Sequence, residues 1–342
     1  MPADVYLLIL GDHLPDPGTG VAVDEAERLR GMVEQAVAAE QAGFTGVAIG
    51  EHHFTRYIVS APEVVLGAVA ARTSTLRLST GVTLLAHRDP VRVAEELGML
   101  DALSGGRAEL IVARGVDAGA DAVFGVAPQD LRTRFDEHLR LLLRLLTERD
   151  VDWDGRFRGR LSSVTTMPRP VQRPAPPVWV GSASAVSTDL AAELDLPLVL
   201  PSTLRDPAIY VDVLTRYRKA LRANGFGPGR VALPSHLHVA KTTAEARERW
   251  RPHLSAYASF ADRWRGDGHP IDVDELMAGP AVCGDPDEVA HRLNELAALL
   301  GLDAHLVIAD IGGLPLPDVL DVIRLFGEHV LPRLTTAVPA RP

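Results

Sequence analysis

Short apolar runs recur along almost the whole chain, and a stretch that can form a helix follows each of them. Most of these runs are apolar at consecutive positions, which is typical of strands covered on both faces. Strands that alternate with helices predict a parallel sheet. The pattern predicts eight strands, over residues 5–10, 46–50, 76–84, 108–113, 178–181, 196–200, 231–240 and 306–309.

Eight strand–helix units predict a single (β/α)8 TIM barrel of the α/β class. The 342 residues of the chain suit one such barrel with insertions. We therefore expect one barrel domain over residues 1–335 and a short tail over residues 336–342. The carboxyl ends of all barrel strands open at one mouth, so residues far apart along the chain can line one pocket there.

Two segments interrupt the strand–helix rhythm, one after strand four and its helix and one after strand seven. Residues 149–177 are rich in glycine and proline, and we expect them to form an excursion before strand five. Residues 250–279 contain Trp250, Trp264 and Gly266. Because this second segment follows strand seven on the mouth side, it is a candidate lid. A surface insertion without a gating role is the alternative.

Capping residues mark the ends of two predicted helices. Asp24 and Glu27 form a capping-box pattern before an apolar stripe, and Gly43 follows that stripe. Asp285 stands before a proline and two acidic residues at the start of a later stripe, and Gly301 ends it. These signals predict one helix after strand one and another before strand eight.

Composition excludes several classes of protein. The net charge is −10, with 45 acidic against 35 basic residues, which argues against nucleic acid as the main partner. The single cysteine, Cys283, excludes an internal disulfide framework and a cysteine-rich metal site. We see no secretion signal and no apolar run long enough to span a membrane, so we expect a cytoplasmic protein.

Two adjacent histidines, His52 and His53, follow strand two. Adjacent side chains at a strand end point in different directions, so we expect only one of them to face the pocket. That histidine is a candidate general acid or base, and packing is its alternative role. Adjacent histidines lack the spacing of metal ligands on one face, so no metal is expected.

Two candidate anion-binding features follow strands four and five. Arg114 offers a planar guanidinium that suits a phosphate, although a surface ion pair also explains it. Ser182 and Ser184 precede a predicted helix, whose first N–H groups and serine hydroxyls would attract an anion. Helix capping is the alternative role of these serines. Because strands four and five are neighbours, the two features together favour a phosphate pocket.

These motifs, in this order, resemble those of the bacterial luciferase-like flavin monooxygenases. The resemblance extends from about residue 5 to residue 240, and it is specific as a set. The matching segments are residues 51–55 (EHHFT), 72–78 (RTSTLRL), 87–92 (HRDPVR), 100–107 (LDALSGGR), 114–115 (RG) and 182–184 (SAS).

The resemblance implies a barrel that binds reduced FMN (FMNH2) with its phosphate near strands four and five. The cofactor contacts that it suggests are Arg114, Val116 through its backbone N–H, Ser182, Ser184 and Thr83. Ser187 is the alternative to Ser184, because this turn contains one residue more than the turn of the luciferases. His52 matches the histidine that supports the flavin oxygen chemistry of the family.

The implied activity is an FMNH2-dependent monooxygenase that uses O2, through a C4a-peroxyflavin, on a small and mostly apolar organic substrate. An aldehyde, a ketone or a natural-product intermediate would fit this description. No nicotinamide site is visible, so we expect a separate NAD(P)H:flavin reductase as partner, and we expect a homodimer. The alternatives are an oxidoreductase of the same superfamily that uses the deazaflavin coenzyme, a non-catalytic flavin-binding subunit, and a metal-dependent barrel hydrolase. The last is disfavoured because no spaced histidine pair follows strand one.

Overall fold

The structure is a computed structural model that describes residues 3–115, 118–201, 204–265 and 272–335. These ranges contain twelve strands and eleven α-helices. The strands are β1 (Asp4–Ile9), β2 (Gly46–Ile49), β3 (Arg77–Thr80), β4 (Thr83–Leu84), β5 (Ala108–Ala113), β6 (Val151–Trp153), β7 (Leu161–Val164), β8 (Val178–Gly181), β9 (Leu198–Val199), β10 (Val231–Val239), β11 (Val282–Gly284) and β12 (Ala304–Ile308). The helices are α1 (Glu25–Gln41), α2 (Pro62–Arg72), α3 (Pro90–Ser104), α4 (Ala118–Val123), α5 (Leu131–Thr147), α6 (Ala185–Glu193), α7 (Val211–Ala223), α8 (Thr243–Arg265), α9 (Val273–Ala278), α10 (Pro286–Leu300) and α11 (Leu316–His329).

Eight of the strands close into a parallel barrel, which confirms the predicted fold. Their order around the barrel is β1-β2-β3-β5-β8-β9-β10-β12, and β12 pairs with β1. Each predicted strand overlaps one strand of this barrel, and β1 and β12 begin one and two residues before their predicted starts. The short strands β4 and β11 add to the edges of β5 and β10.

Alternating side chains of the strands build two apolar layers. On β1, Leu7 and Ile9 belong to the outer layer, where the strands meet the surrounding helices. Tyr6 and Leu8 of the same strand belong to the inner layer, inside the barrel. The period of two in a strand explains the division. It also explains why the strands are apolar at nearly every position.

Polar side chains fill the amino end of the barrel. The carboxylate of Glu109 is buried, accepts a hydrogen bond of 2.9 Å from the Tyr6 hydroxyl, and pairs with the Arg77 guanidinium. Burial raises the pKa of Glu109 above its ordinary value. Because this end is filled, the space for a ligand lies toward the carboxyl ends of the strands.

The predicted helix ends are confirmed. The Asp24 side chain accepts the N–H groups of Ala26 and Glu27 at the start of α1, and Gly43 follows this helix with φ 84°. Asp285 caps α10 in the same way, and Gly301 ends α10 in the left-handed region with φ 63°. A glycine is favoured there because this region is strained for other residues.

The excursion over residues 149–177 leaves and rejoins the barrel at its amino end, and its tip extends along α5, where the N–H groups of residues 156–158 donate to the Glu137 carboxylate. It contains an antiparallel hairpin of β6 and β7 and connects α5 to β8. The N–H of Val171 donates to the Asp101 carboxylate at 2.7 Å, and the Arg169 guanidinium donates to the Leu146 carbonyl at 2.6 Å. These bonds attach the excursion to α3 and to the end of α5.

The first part of the candidate lid, residues 250–279, is helical. Residues 250–265 continue α8, and Trp250 is fully buried, stacked on the His238 ring with centroids 5.8 Å apart. Apolar residues at helical spacing explain why this part packs on the barrel. Residues 266–271, the Trp264 side chain and the tail over residues 336–342 lie outside the described residues.

Candidate functional site

A cavity of about 670 Å³ lies at the carboxyl ends of the barrel strands. Much of its wall consists of residues that follow β2, β5, β8 and β9. Apolar side chains such as Leu8, Ile111 and Leu306 form its interior. The volume lies within the range of about 300–1,000 Å³ that is typical of small-molecule sites. This cavity is the candidate active site.

Arg114 follows β5 directly and lines the cavity. The next residue, Gly115, has φ 91°, and a Cβ there would lie 3.0 Å from Cε1 of His87. That histidine is buried, with its Nε2 2.7 Å from Oδ1 of Asp121. Among the described residues no carboxylate forms an ion pair with Arg114. Its guanidinium is a candidate ligand for an anion in the cavity.

Three serine side chains line the cavity at the start of α6. Ser184 is the N-cap residue, and its hydroxyl donates to the Ser187 hydroxyl at 3.1 Å. The N–H of Ser184 donates to the Ser182 hydroxyl at 3.0 Å. The three hydroxyls therefore form one hydrogen-bonded chain. Both residues suggested for the last phosphate contact, Ser184 and Ser187, lie in this wall.

The strand order brings the arginine and the serines together. β5 pairs with β8 in parallel, with Val112 opposite Val180. Arg114 and Ser182 each follow this pair by two residues, so they lie at the same height along the barrel axis, on neighbouring strand ends. A guanidinium beside a helix N-terminus that carries serine hydroxyls is a suitable arrangement for a phosphate.

Both histidines after β2 line the cavity, so the expectation that only one of them would face it is wrong. β2 ends at Ile49, and the alternation of a strand therefore does not extend to these residues. The His52 ring stacks on the Tyr57 ring, with centroids 4.0 Å apart and planes 19° from parallel. Nε2 of His53 lies 3.0 Å from Oε1 of Glu51.

Glu51 is a site residue that sequence analysis did not single out. Its side chain is buried, its Oε2 accepts the N–H of Leu84 at 3.1 Å, and the Arg88 guanidinium lies 3.5 Å from the same atom. These contacts fix the carboxylate, which in turn orients the His53 ring. A histidine held by a buried carboxylate is a recurrent arrangement for proton transfer.

The structure does not place Thr83 at the cavity. Its side chain is fully buried, and its hydroxyl donates to Oγ1 of Thr80 at 3.0 Å. The sequence suggested a single strand over residues 76–84, whereas β3 ends at Thr80 and Gly81 and Val82 reach the cavity wall instead. Val116 lies outside the described residues.

A further group of aromatic residues lines another part of the cavity and was not predicted. The hydroxyls of Tyr57 and Tyr257 lie 3.0 Å apart and connect the loop after β2 to α8. Burial raises the pKa of Tyr257. His236 on β10 is 2% exposed, and its ring centroid lies 5.1 Å from that of Tyr257. A histidine inside an apolar strand was the available signal, because buried polar residues are informative.

Two negative findings apply to the described ranges. These residues contain no group of three or more His, Cys, Asp or Glu side chains placed to hold a metal ion. Within the same ranges, no helix combines the length and the apolarity that crossing a membrane requires.

Sequence comparison identifies the class of the protein. A family model described as luciferase-like monooxygenase matches residues 4–303. The chain therefore belongs to the luciferase-like monooxygenase family, and the resemblance seen in the motifs is confirmed.

Among the relatives, the chain is 27% identical to the N-acetyl-S-alkylcysteine monooxygenase of Bacillus subtilis, over 84% of this chain and 88% of the relative. It is 24% identical to the oxygenase component of the flavin-dependent trigonelline monooxygenase of Acinetobacter baylyi, over 82% of this chain and 83% of the relative. Two uncharacterized proteins of Sinorhizobium fredii, y4vJ and y4wF, are 34% and 36% identical, and the chain spans about half of their length, 47% and 52%.

Solved structures share the fold over nearly the whole chain. The monooxygenase RslO1 from Streptomyces bottropensis has a TM-score of 0.85 and 28% identity, covering 96% of this chain and 99% of that one. The FMN complex of the oxygenating constituent of 3,6-diketocamphane monooxygenase from Pseudomonas putida has a TM-score of 0.79 and 20% identity, covering 98% and 100%. A coenzyme F420-dependent tetrahydromethanopterin reductase from Methanopyrus kandleri has a TM-score of 0.75 and 19% identity, also covering 98% and 100%. The last two show a common fold alone.

Proposed function

We propose that the protein binds reduced FMN at the barrel mouth and uses O2 to oxygenate a small, mostly apolar organic substrate. The observation that carries the proposal is the juxtaposition of Arg114 with the serine-rich start of α6 at the wall of a largely apolar cavity. The family match and the flavin dependence of the Acinetobacter relative support a flavin as the ligand of this cavity.

The residues of the cavity fit a flavin mononucleotide in charge and polarity. Arg114, the serine hydroxyls and the first N–H groups of α6 would hold the phosphate. Apolar side chains on the phosphate side of the cavity, such as Ile111 of β5 and Val199 of β9, would contact the ring system and exclude water from it. Bound reduced flavin would supply the electrons for placing one oxygen atom of O2 in the product and reducing the other to water.

We propose His52 as the catalytic histidine. It lines the cavity, and stacking on Tyr57 holds its ring in a defined orientation. An imidazole changes charge near neutral pH, so His52 would hold or deliver a proton at the reacting centre. The Glu51–His53 pair is the second candidate for this proton transfer, because it also lies at the cavity and is fixed by a buried carboxylate.

We also propose that a separate NAD(P)H:flavin reductase supplies the reduced flavin. The Acinetobacter relative is named as the oxygenase component of its enzyme, which implies a further component for that protein. If a purified reductase passes reduced flavin directly to this protein, substrate oxidation should be faster than when free reduced flavin diffuses to it through aerobic buffer.

The test of the proposed function loads the purified protein anaerobically with photoreduced FMN or with the reduced deazaflavin coenzyme. Each sample is then mixed with ¹⁸O₂ and with decanal, cyclohexanone or dimethyl sulfide as probe. The proposal predicts that FMN binds more tightly and that one ¹⁸O atom enters at least one product. Tight binding of the deazaflavin alone, without oxygen uptake, would support the hydride-transfer alternative. FMN binding without labelled product from any probe would support a non-catalytic flavin-binding subunit.

A further inference from the structure

One side of the cavity is almost entirely apolar. In the eight-strand order, β12 and β1 lie opposite β5 and β8, the strands that carry the proposed phosphate site. Leu8, Leu10, Pro234 and Leu306 line the cavity from β1, β10 and β12 or directly after them. We call these four residues the apolar wall. His236 on β10 is the polar side chain that stands among them.

The His236 side chain lacks a hydrogen bond that a buried polar group needs. It is 2% exposed, and its Nε2 has no partner among the described residues. Burial lowers the pKa of His236 to about 4, so the ring is neutral at pH 7 and offers one donor and one acceptor. The nearby Tyr257 hydroxyl already pairs with Tyr57. Because His236 lines the cavity, a ligand bound there can supply the partner that this nitrogen lacks.

We infer that His236 determines specificity in a substrate subsite, where it hydrogen-bonds to the oxygen of a carbonyl or hydroxyl group on an otherwise apolar, uncharged substrate. The inference rests on the proposed function, in which the flavin phosphate occupies the Arg114 side and leaves the apolar wall to the substrate. An uncharged substrate is favoured because the charged residues of the cavity, such as Glu51 and Arg114, follow β2 and β5 rather than the strands of this wall.

The chain supplies a matched control for the structural role of a buried histidine. His305 on β12 is 1% exposed, and neither of its ring nitrogens has a partner within the described ranges. Burial lowers the pKa of His305 to about 4 as well. His305 does not line the cavity. A substitution there therefore reproduces the loss of a buried imidazole without touching the proposed subsite.

The test uses acetophenone, 1-phenylethanol and ethylbenzene, which share a carbon skeleton and differ in their oxygen. Dissociation constants are measured calorimetrically at pH 7 with the FMN-saturated protein and again without flavin. We expect the wild type to bind the ketone or the alcohol about tenfold more tightly than ethylbenzene, the effect of one well-formed hydrogen bond. His236→Phe should reduce this ratio to about one, since one such bond is lost. His236→Gln should retain part of the preference, and His305→Phe should retain all of it.

Three results would overturn the inference. The first is equal binding of the three probes by the wild type, and the second is an unchanged preference in His236→Phe. The third is a large loss of FMN affinity in His236→Phe, which would place this ring at the flavin rather than at the substrate. Failure of the wild type to bind FMN would count against the proposed function alone, because the probe preference is also measured without flavin. Melting curves identify any variant that does not fold, and His236→Gln then provides the comparison.

Discussion

At the scale of single residues, a few polar side chains determine which chemistry this barrel mouth supports, because most of the cavity wall is apolar. Arg114 brings a positive charge, and His52 and His53 bring groups that can exchange protons. The buried Glu51 carboxylate pairs with the His53 ring, whereas the His52 ring stacks on the Tyr57 ring. The two rings therefore differ in what holds them, and substitution can separate their roles.

His52→Ala should lower substrate oxidation at least about a hundredfold, because positioned proton transfer contributes about 10²–10⁴ in rate. Single-turnover oxidation by protein preloaded with reduced FMN measures this effect apart from flavin binding. His53→Ala is the matched comparison. We expect this substitution mainly to lower the melting temperature, because the buried Glu51 carboxylate loses its contact with His53. A larger loss of rate in His53→Ala would assign the proton transfer to the Glu51–His53 pair.

Buried histidines also make the fold sensitive to acid. Burial lowers the pKa of His236 and His305 to about 4 and that of His238 to about 3, from an ordinary 6.5. The positive charge of Arg249 adds to the effect at His238. On acidification the unfolded chain takes up these protons first, so stability falls as the pH decreases from 6.5 toward 4.

We predict that the melting temperature decreases between about pH 7 and pH 5 and that His305→Phe decreases it less steeply. At pH 5 each of the three histidines would cost about 2 kcal/mol of unfolding free energy relative to neutral pH. Buried carboxylates such as Asp12 and Glu109 act in the opposite direction, since burial raises the pKa of Asp12 to about 7 and that of Glu109 above its ordinary value. The difference in slope between the wild type and His305→Phe therefore isolates the contribution of one histidine. His291→Phe is the control because this histidine is exposed. Equal slopes in His305→Phe and the wild type would contradict this explanation.

The sequence revealed those site residues that directly follow strands. Arg114, Ser182 and His52 could be found because a strand end in a parallel barrel lies at the mouth wherever it occurs in the chain. His236 could not be assigned, because a strand that is apolar on both faces does not reveal which side chains point inward. Thr83 was placed at the cavity because the predicted strand over residues 76–84 extends through Gly81 and Val82, whereas β3 ends at Thr80.

At the scale of secondary-structure elements, α8 covers one side of the mouth. Tyr257 and Ala261 of this helix line the cavity, and the Tyr257 hydroxyl lies 3.0 Å from that of Tyr57. Sequence analysis anticipated a covering segment here but not that residues 250–265 continue a helix. It likewise anticipated the excursion over residues 149–177 without its hairpin, because glycine and proline indicate irregular chain but not strand pairing.

Tyr257→Phe should increase the release of hydrogen peroxide relative to oxidised product, because it removes the hydroxyl that links α8 to the loop after β2 and admits water to the site. The ratio of peroxide to product, measured at saturating reduced FMN, is the readout. Tyr217→Phe is the control. The Tyr217 hydroxyl donates to the Leu196 carbonyl at a distance of 2.7 Å, and Tyr217 does not line the cavity. Unchanged coupling in Tyr257→Phe would make α8 a fixed wall rather than a lid.

At the scale of the whole molecule, the order of the strands places the proposed phosphate site and the proposed substrate subsite at different parts of the barrel mouth. The exits of β5 and β8 carry the proposed anion site, whereas the opposite strands β1 and β12, together with β10 beside them, carry the apolar wall with His236. A cofactor held by its phosphate would therefore enter from one side and leave the other for a substrate. We propose that the residues around His236 determine which substrate this protein admits.

The most direct test of this account is an anaerobic titration with reduced FMN and reduced riboflavin, which differ only in the phosphate. We predict that the wild type prefers FMN at least about tenfold, because hydrogen bonds to a charged group contribute about 1.5–3 kcal/mol each. Arg114→Ala should lose most of this preference, whereas Arg132→Ala, an exposed arginine on α5, should keep it. Equal affinity of the wild type for the two flavins, or full preference for FMN in Arg114→Ala, would contradict the central claim.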